Sequence, residues 1–176
     1  LDECSAELQR IAQGDPPRTA RFQALAPVVA KYAIPLQLFE DLFSAFRQDV
    51  VKTRYQDFGE VIDYCRRSAN PVGRILLHIF GQTDARQLAL SDGICSALQL
   101  VNFWQDVAID WQKNRVYLPQ DDMERFSVRE VDLAQGIATP AFKQLMSFEC
   151  DRTRRMLRAG SPLGVQLPGR VGLEIR

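Results

Sequence analysis

The sequence is poor in the residues from which most catalytic centres are built. It holds a single histidine, His78, inside the apolar run Ile75-Leu-Leu-His-Ile-Phe80, where a packed core residue is the economical reading. No Ser-His or Cys-His arrangement for covalent catalysis is visible. The four cysteines, Cys4, Cys65, Cys95 and Cys150, are scattered and form no CxxC pair, as expected of reduced structural thiols in a cytosolic protein. Charge of one sign is also lacking. Lys plus Arg and Asp plus Glu both number 22, which argues against nucleic acid as a partner. Clean apolar runs such as Ile75–Leu77 fall far short of a membrane span, and no signal peptide is visible. There is no β alternation, no repeat and no low-complexity segment.

What remains is helical. The chain has 176 residues, 46% apolar and 25% charged, enough for one domain (1–176) with a sizeable core. Apolar spacing predicts helices over 1–13, 19–33, 35–55, 57–81, 84–113, 129–135 and 139–159, with Pro and Gly between them. The third should bury Leu38, Leu42, Phe43, Phe46 and Val50. Pro71 should kink the fourth, with Ser68, Ala69 and Gly73 allowing close approach at the bend and Asn70 facing inward. Residues 120–131 read as charged and turn-rich. The expected fold class is all-α.

The most informative stretch is Leu98 to Pro119. Gln99, Asn102, Asp106 and Asp110 are three, four and four residues apart, which stacks them on one helical stripe. The residues between, including Leu98, Leu100, Phe103, Trp104, Val107 and Ile109, are apolar, so the stripe is expected to be buried. Buried carboxylates need a partner. One candidate is a Lys or Arg from a neighbouring helix. The other is a divalent cation, favoured because Gln and Asn extend the stripe with neutral oxygen donors. Lys113, Arg115 and Tyr117 follow at once, and cations beside carboxylates suit a metal–diphosphate site.

These residues carry a resemblance. Gln99-x-x-Asn102-x-x-x-Asp106-x-x-x-Asp110, followed by Arg115-x-Tyr117-Leu-Pro, resembles the second aspartate-rich motif of the squalene/phytoene synthase family. Tyr64-Cys-Arg-Arg-Ser-Ala-Asn-Pro-Val-Gly73 is similar to a second family motif, with Arg66 where a reactive Tyr usually stands and Asn70 for a Gly. Gln105 departs from the Arg usual before Asp106. The resemblance implies a terpenoid-synthase-like helical bundle around a central cavity. It also implies Mg²⁺ as cofactor and a prenyl diphosphate, presqualene or farnesyl diphosphate, as substrate. On this reading Asp106, Asp110 and Asn102 hold metal, with Gln99 beside them in the catalytic stripe. Arg115, Lys52, Arg54 and Tyr117 would meet the diphosphate, although Lys52 and Arg54 also suit the end of a helix dipole. Tyr64, Arg66, Ala69, Asn70, Gly73 and Phe103 would line the cavity.

Within the family, the two motifs are most similar to the hopanoid-pathway branch that converts presqualene diphosphate to hydroxysqualene. Coupling of two prenyl diphosphates by a squalene or phytoene synthase is the neighbouring alternative. A non-catalytic helical relic or scaffold is the alternative from another class. The chain starts at Leu1 in a helical pattern and stops at Arg176 as another helix begins. The expectation is therefore an internal fragment, incomplete at both ends, whose first aspartate-rich motif lies upstream. A cytoplasmic location is expected, with peripheral membrane association to accommodate an apolar product.

Overall fold

The computed structural model describes residues 1–175, and no strand occurs among them. Twelve helices follow in order: α1 (Asp2–Gln13), α2 (Ala20–Lys31), α3 (Gln37–Val51), α4 (Phe58–Ser68), α5 (Asn70–Ile79) and α6 (Ala85–Gln105) make the first half. The second comprises α7 (Val107–Gln112), α8 (Gln120–Arg125), α9 (Glu130–Gln135), α10 (Pro140–Gly160), α11 (Leu163–Gln166) and α12 (Gly169–Ile175).

Local chemistry sets several of these boundaries. Asp57 caps α4 by accepting from the Glu60 amide, and Asp84 caps α6 by accepting from the Arg86 and Gln87 amides. Thr139 accepts from the Phe142 amide while Pro140 supplies the preset φ of a first helical residue. The expected bend at Pro71 is a full break. Ala69 leaves helical geometry at φ −119°, and Pro71 falls in the first turn of the new helix α5, where a missing N–H costs nothing.

The second long helix also ends early. It stops at Gln105, and Asp106 (φ −98°, ψ 12°) joins α6 to the short α7. Residues 120–131, expected as turn, contain α8. Helix α3 ends at Val51 because Lys52 turns extended, and its far end is open: Phe46 is 46% exposed and Val50 79%, contrary to the expected burial.

Helix α6 is central, packing against α4, α5, α10 and α11. Its approach to α10 depends on the glycine at the end of that helix, where a Cβ on Gly160 would lie 2.8 Å from the Leu90 carbonyl oxygen. Nearer the middle, Trp104 Nε1 donates to Thr153 Oγ1 at 2.8 Å, and that hydroxyl donates to the Glu149 carbonyl. The main core gathers Tyr55, Val61, Cys65, Leu100, Leu118 and Leu145, each at most 1% exposed. Burial of such side chains contributes about 1.5–3 kcal/mol apiece. A ladder-like pairing ties the extended segment after α3 to the one after α7. The Val116 amide donates to the Thr53 carbonyl at 3.0 Å, Gln120 to Tyr55 at 2.9 Å and Asp121 to Gln56 at 3.0 Å. That pairing carries Arg115 and Tyr117 to the C-terminal end of α6.

Candidate functional site

The stripe forms, but not as a buried one. Asn102 and Asp106 are exposed, while Gln99 and Asp110 are half-buried. Leu98 and Ile109, expected to be packed, are about half exposed at 51% and 50%. The helix buries the side next to it, through Leu100, Phe103 and Trp104, and leaves the polar edge open. Asp110 survives the break because its amide still bonds the Asp106 carbonyl at 2.8 Å, so the i, i+4 relation holds through the joint. Burial, and then the Asp106 charge beside it, pushes the Asp110 carboxyl above the usual range, although Lys113 and Arg115 pull the other way. Lys113 reaches Asp110 at only 3.8 Å. No ion pair is formed by Asp106, so the candidate explanation of a Lys or Arg from a neighbouring helix is absent among the described residues.

Two carboxylates with adjacent amide oxygens are an all-oxygen donor set, which suits Mg²⁺ and its preference for few protein ligands with water and phosphate completing an octahedron. Among the described residues no third His, Cys, Asp or Glu joins them to make a closed cage.

Beside this edge, Asp110, Arg115, Tyr117, Phe103 and Val107 line one small crevice. The Tyr117 ring lies flat on Phe103, with centroids 3.8 Å apart and planes 4° apart. Arg115 bonds the Tyr117 side chain and donates to the Asp49 carbonyl at 3.0 Å. Tyr55 stacks on the other side of Tyr117 at 5.5 Å, and Tyr64 meets both Phe103 and Tyr117 at 6.0 Å. The Tyr64 hydroxyl donates to Asp49 Oδ2 at 3.0 Å. Burial and the bond to Asp49 both keep that hydroxyl protonated.

Asp49 itself is a site residue that the sequence reading missed. Its Oδ1 is buried without a hydrogen-bond partner among the described residues, a position for which the structure supplies no compensation. A signal was present: Leu38, Leu42 and Ala45 continue at helical spacing to position 49, where the apolar face of α3 carries an acid.

The two cations expected at the diphosphate end are engaged elsewhere. Lys52 Nζ pairs with Glu60 at 2.9 Å, and Arg54 forks onto Glu130 at 2.5 and 3.0 Å. Arg66, expected in the cavity, is exposed on α4 and pairs with Asp63 of its own helix. Its neighbour Arg67 turns inward, reaching Ser44 at 2.9 Å and Gln48 at 2.5 Å on α3. Asn70 is buried as expected, accepting from Ser96 of α6 at 2.8 Å. Ala69 lies half-buried at the break itself.

Gly73 faces Ser91 and Cys95, both 2.5 Å from where its Cβ would be, so any larger residue would force α5 and α6 apart. Gly73 also lines an apolar hollow of about 370 Å³ with Leu76, Phe80, Leu98 and Leu163. Leu98 is the contribution of α6 to that hollow nearest the stripe. Tyr64 belongs instead to the core behind the crevice, and Phe103, part of the same core, forms the crevice wall.

Known proteins share this chain's sequence pattern and fold. The family model for squalene/phytoene synthase matches residues 1–176. A hydroxysqualene synthase from Rhodopseudomonas palustris is 37% identical over 99% of this chain and 59% of its own length. A 15-cis-phytoene synthase from Synechocystis is 33% identical over 88% of this chain and 49% of its own. The crystal structure of the squalene synthase HpnC from Alicyclobacillus acidocaldarius superposes with a TM-score of 0.94 at 34% identity, covering 99% of this chain and 66% of that one. The chain thus spans about half to two thirds of the proteins it matches. With its helical architecture and both motifs in place, the chain belongs to the squalene/phytoene synthase family.

Proposed function

We propose that the whole protein is a Mg²⁺-dependent enzyme of isoprenoid diphosphate chemistry, and that it converts presqualene diphosphate to hydroxysqualene. The observation that carries this reading is the crevice at the end of α6. There Asp110, next to Asp106, and the cation Arg115 face one small space, with an apolar hollow further along the same helix. A charged edge suited to a diphosphate and an apolar hollow suited to a hydrocarbon thus lie along one helical run.

Mg²⁺ bound there would draw negative charge from the leaving diphosphate. Asp106 and Asp110, with Asn102 and Gln99 beside them, are the residues that would hold it. Arg115 contributes a forked donor to the phosphate oxygens, and Tyr117, flat on Phe103, fixes where that donor points. The walls given by Gly73, Leu76, Phe80 and Leu98 exclude water from the isoprenoid chain.

The similarity to hydroxysqualene synthase supports presqualene diphosphate as substrate. The similarity to phytoene synthase supports a second reading, coupling of two prenyl diphosphates. No described helix is long and apolar enough to cross a membrane.

The test is to incubate the intact protein with presqualene diphosphate, or with farnesyl diphosphate, and identify the product by mass spectrometry in H₂¹⁸O. An ¹⁸O-labelled C30 alcohol from presqualene diphosphate is expected. A hydrocarbon from farnesyl diphosphate would replace this reading by the second. No Mg²⁺-dependent diphosphate release from either would mark the fold as a relic.

A further inference from the structure

The first aspartate of the stripe sits at the joint between α6 and α7, and the second on the short α7 itself. Helix α7 is six residues long, begins at the Asp106 break and buries none of its residues fully. It ends in a corner at Asn114, whose φ of +56° lies in the left-handed region. The next residue is Arg115. The backbone ties Asp110 to Asp106 at 2.8 Å and Arg115 to Asp110 at 2.9 Å, so any drift of α7 or of this corner moves Asp110 and Arg115 together against α6.

One side chain meets all the parts that could drift. Arg54 comes from the extended segment after α3, and its guanidinium has five N–H donors. Nε and Nη2 close on the two Glu130 carboxylate oxygens at 2.5 and 3.0 Å. Nη1 reaches the Asn114 carbonyl at 2.7 Å, and Nη2 also reaches Asn114 Oδ1 at 3.0 Å. The remaining Nη1 donor goes to the Thr53 carbonyl at 2.9 Å. The face of the guanidinium lies 5.7 Å from the Trp111 ring of α7. Every donor is taken, so a phosphate could bind Arg54 only by displacing protein. Glu130, at the first turn of α9, answers by having its carboxyl held below the ordinary range, chiefly through this bond.

We propose that Arg54 is a positioning residue. By closing on Glu130, Asn114 and Trp111 it fixes α7 and the corner after it, and so sets Asp110 and Arg115 at the spacing a metal-bound diphosphate requires. This rests on the reading of Asp106, Asp110 and Arg115 given above, and it removes Arg54 from the groups that touch the substrate. Lysine could supply the charge at this position, but it has no fork to hold two partners at once.

The experiment uses the intact protein with Arg54→Lys, Glu130→Gln and the surface control Arg66→Ala. Two quantities are measured: amide hydrogen exchange across residues 107–116, and binding of inorganic diphosphate in Mg²⁺ by calorimetry. Arg54→Lys and Glu130→Gln should each speed exchange of the Arg115 and Val116 amides about tenfold and weaken diphosphate about five- to tenfold. Arg66→Ala should change neither. Glu130→Gln carries the decision, because it leaves the Arg54 charge in place, removes one of the two acceptor oxygens and frees a donor. If Arg54 were a direct ligand, that variant would bind diphosphate more tightly, and tighter binding overturns the proposal. Unchanged exchange in both variants overturns it as well. If wild-type protein binds no diphosphate while exchange still rises in the variants, the lock stands and the reading of the site fails.

Discussion

Asp106→Asn separates catalysis from architecture more cleanly than any other substitution. The side chain is exposed, no ion pair is formed by it among the described residues, and the change is nearly isosteric. What it does touch is Asp110, whose carboxyl it pushes upward from four residues away. At about 6 Å in a solvated setting, two like charges repel by roughly 0.7 kcal/mol. Neutralising Asp106 should therefore leave stability unchanged or raise it by about 0.5 kcal/mol, and return the Asp110 carboxyl toward its ordinary range.

In the intact protein the same change should cut turnover by about 10³, equivalent to roughly 4 kcal/mol of transition-state stabilisation. Thermal melting, an NMR titration of Asp110 and single-turnover kinetics on one preparation check all three. The reasoning is refuted by a variant that melts several degrees early and turns over normally once folded. That outcome would make Asp106 a scaffold residue.

Glu149 is fully buried on α10 beside Arg152, with Asp122 and Asp121 facing it from α8, and burial raises its carboxyl to about 8. The folded state therefore holds a proton that the unfolded chain releases near pH 4.5, so wild-type stability should fall as pH rises from about 4.5 to about 8 and then level. Glu149→Gln should flatten that slope and melt at least several degrees higher than wild type at pH 8.5; a parallel pH profile would count against the buried proton. Tyr64→Phe removes the only hydrogen bond to the Asp49 carboxylate among the described residues and should cost about 1–3 kcal/mol in urea melts, whereas the exposed Arg66→Ala should stay within about 0.5 kcal/mol. Gly160→Ala places a Cβ 2.8 Å from the Leu90 carbonyl, and the separation it forces between α6 and α10 should cost about 1–3 kcal/mol; a neutral result would show that the helices can shift apart freely.

Most of the helices were legible because their signals are local. Asp57, Asp84 and Thr139 cap the helices they precede, and the apolar spacing of α10 runs unbroken from Phe142 to Met156. The break at Pro71 was visible for the same reason, although the ring begins a helix there instead of bending one. Burial was less legible. The apolar content of residues 98–109 suggested a helix enclosed on all sides, yet Leu98, Asn102, Asp106 and Ile109 face outward. Periodicity states which residues share a face; it does not state whether anything covers that face. The stop at Asp106 had no Pro or Gly to announce it.

The chemistry of the site divides along the same line. Gln99, Asn102, Asp106 and Asp110 could be read as one stripe because a helix fixes their relation by spacing alone. The cations could not be sorted that way, since Lys52, Arg54 and Arg115 are equally basic in the sequence and lie near the same segment. What separates them is occupancy. Lys52 is spent on Glu60 and Arg54 on Glu130 and Asn114, while Arg115 lines the crevice beside Asp110 and forms no carboxylate pair among the described residues. Asp49 is the mirror case: an acid on an apolar face, unremarkable as a letter, with one oxygen on Tyr64 and the other on nothing among the described residues. A group's reactivity depends on which of its bonds are already made, and those bonds come from segments 15 to 76 positions away in the chain. Such distances lie beyond any local pattern, so the site's helix was readable from its letters and the partners that tune it were not.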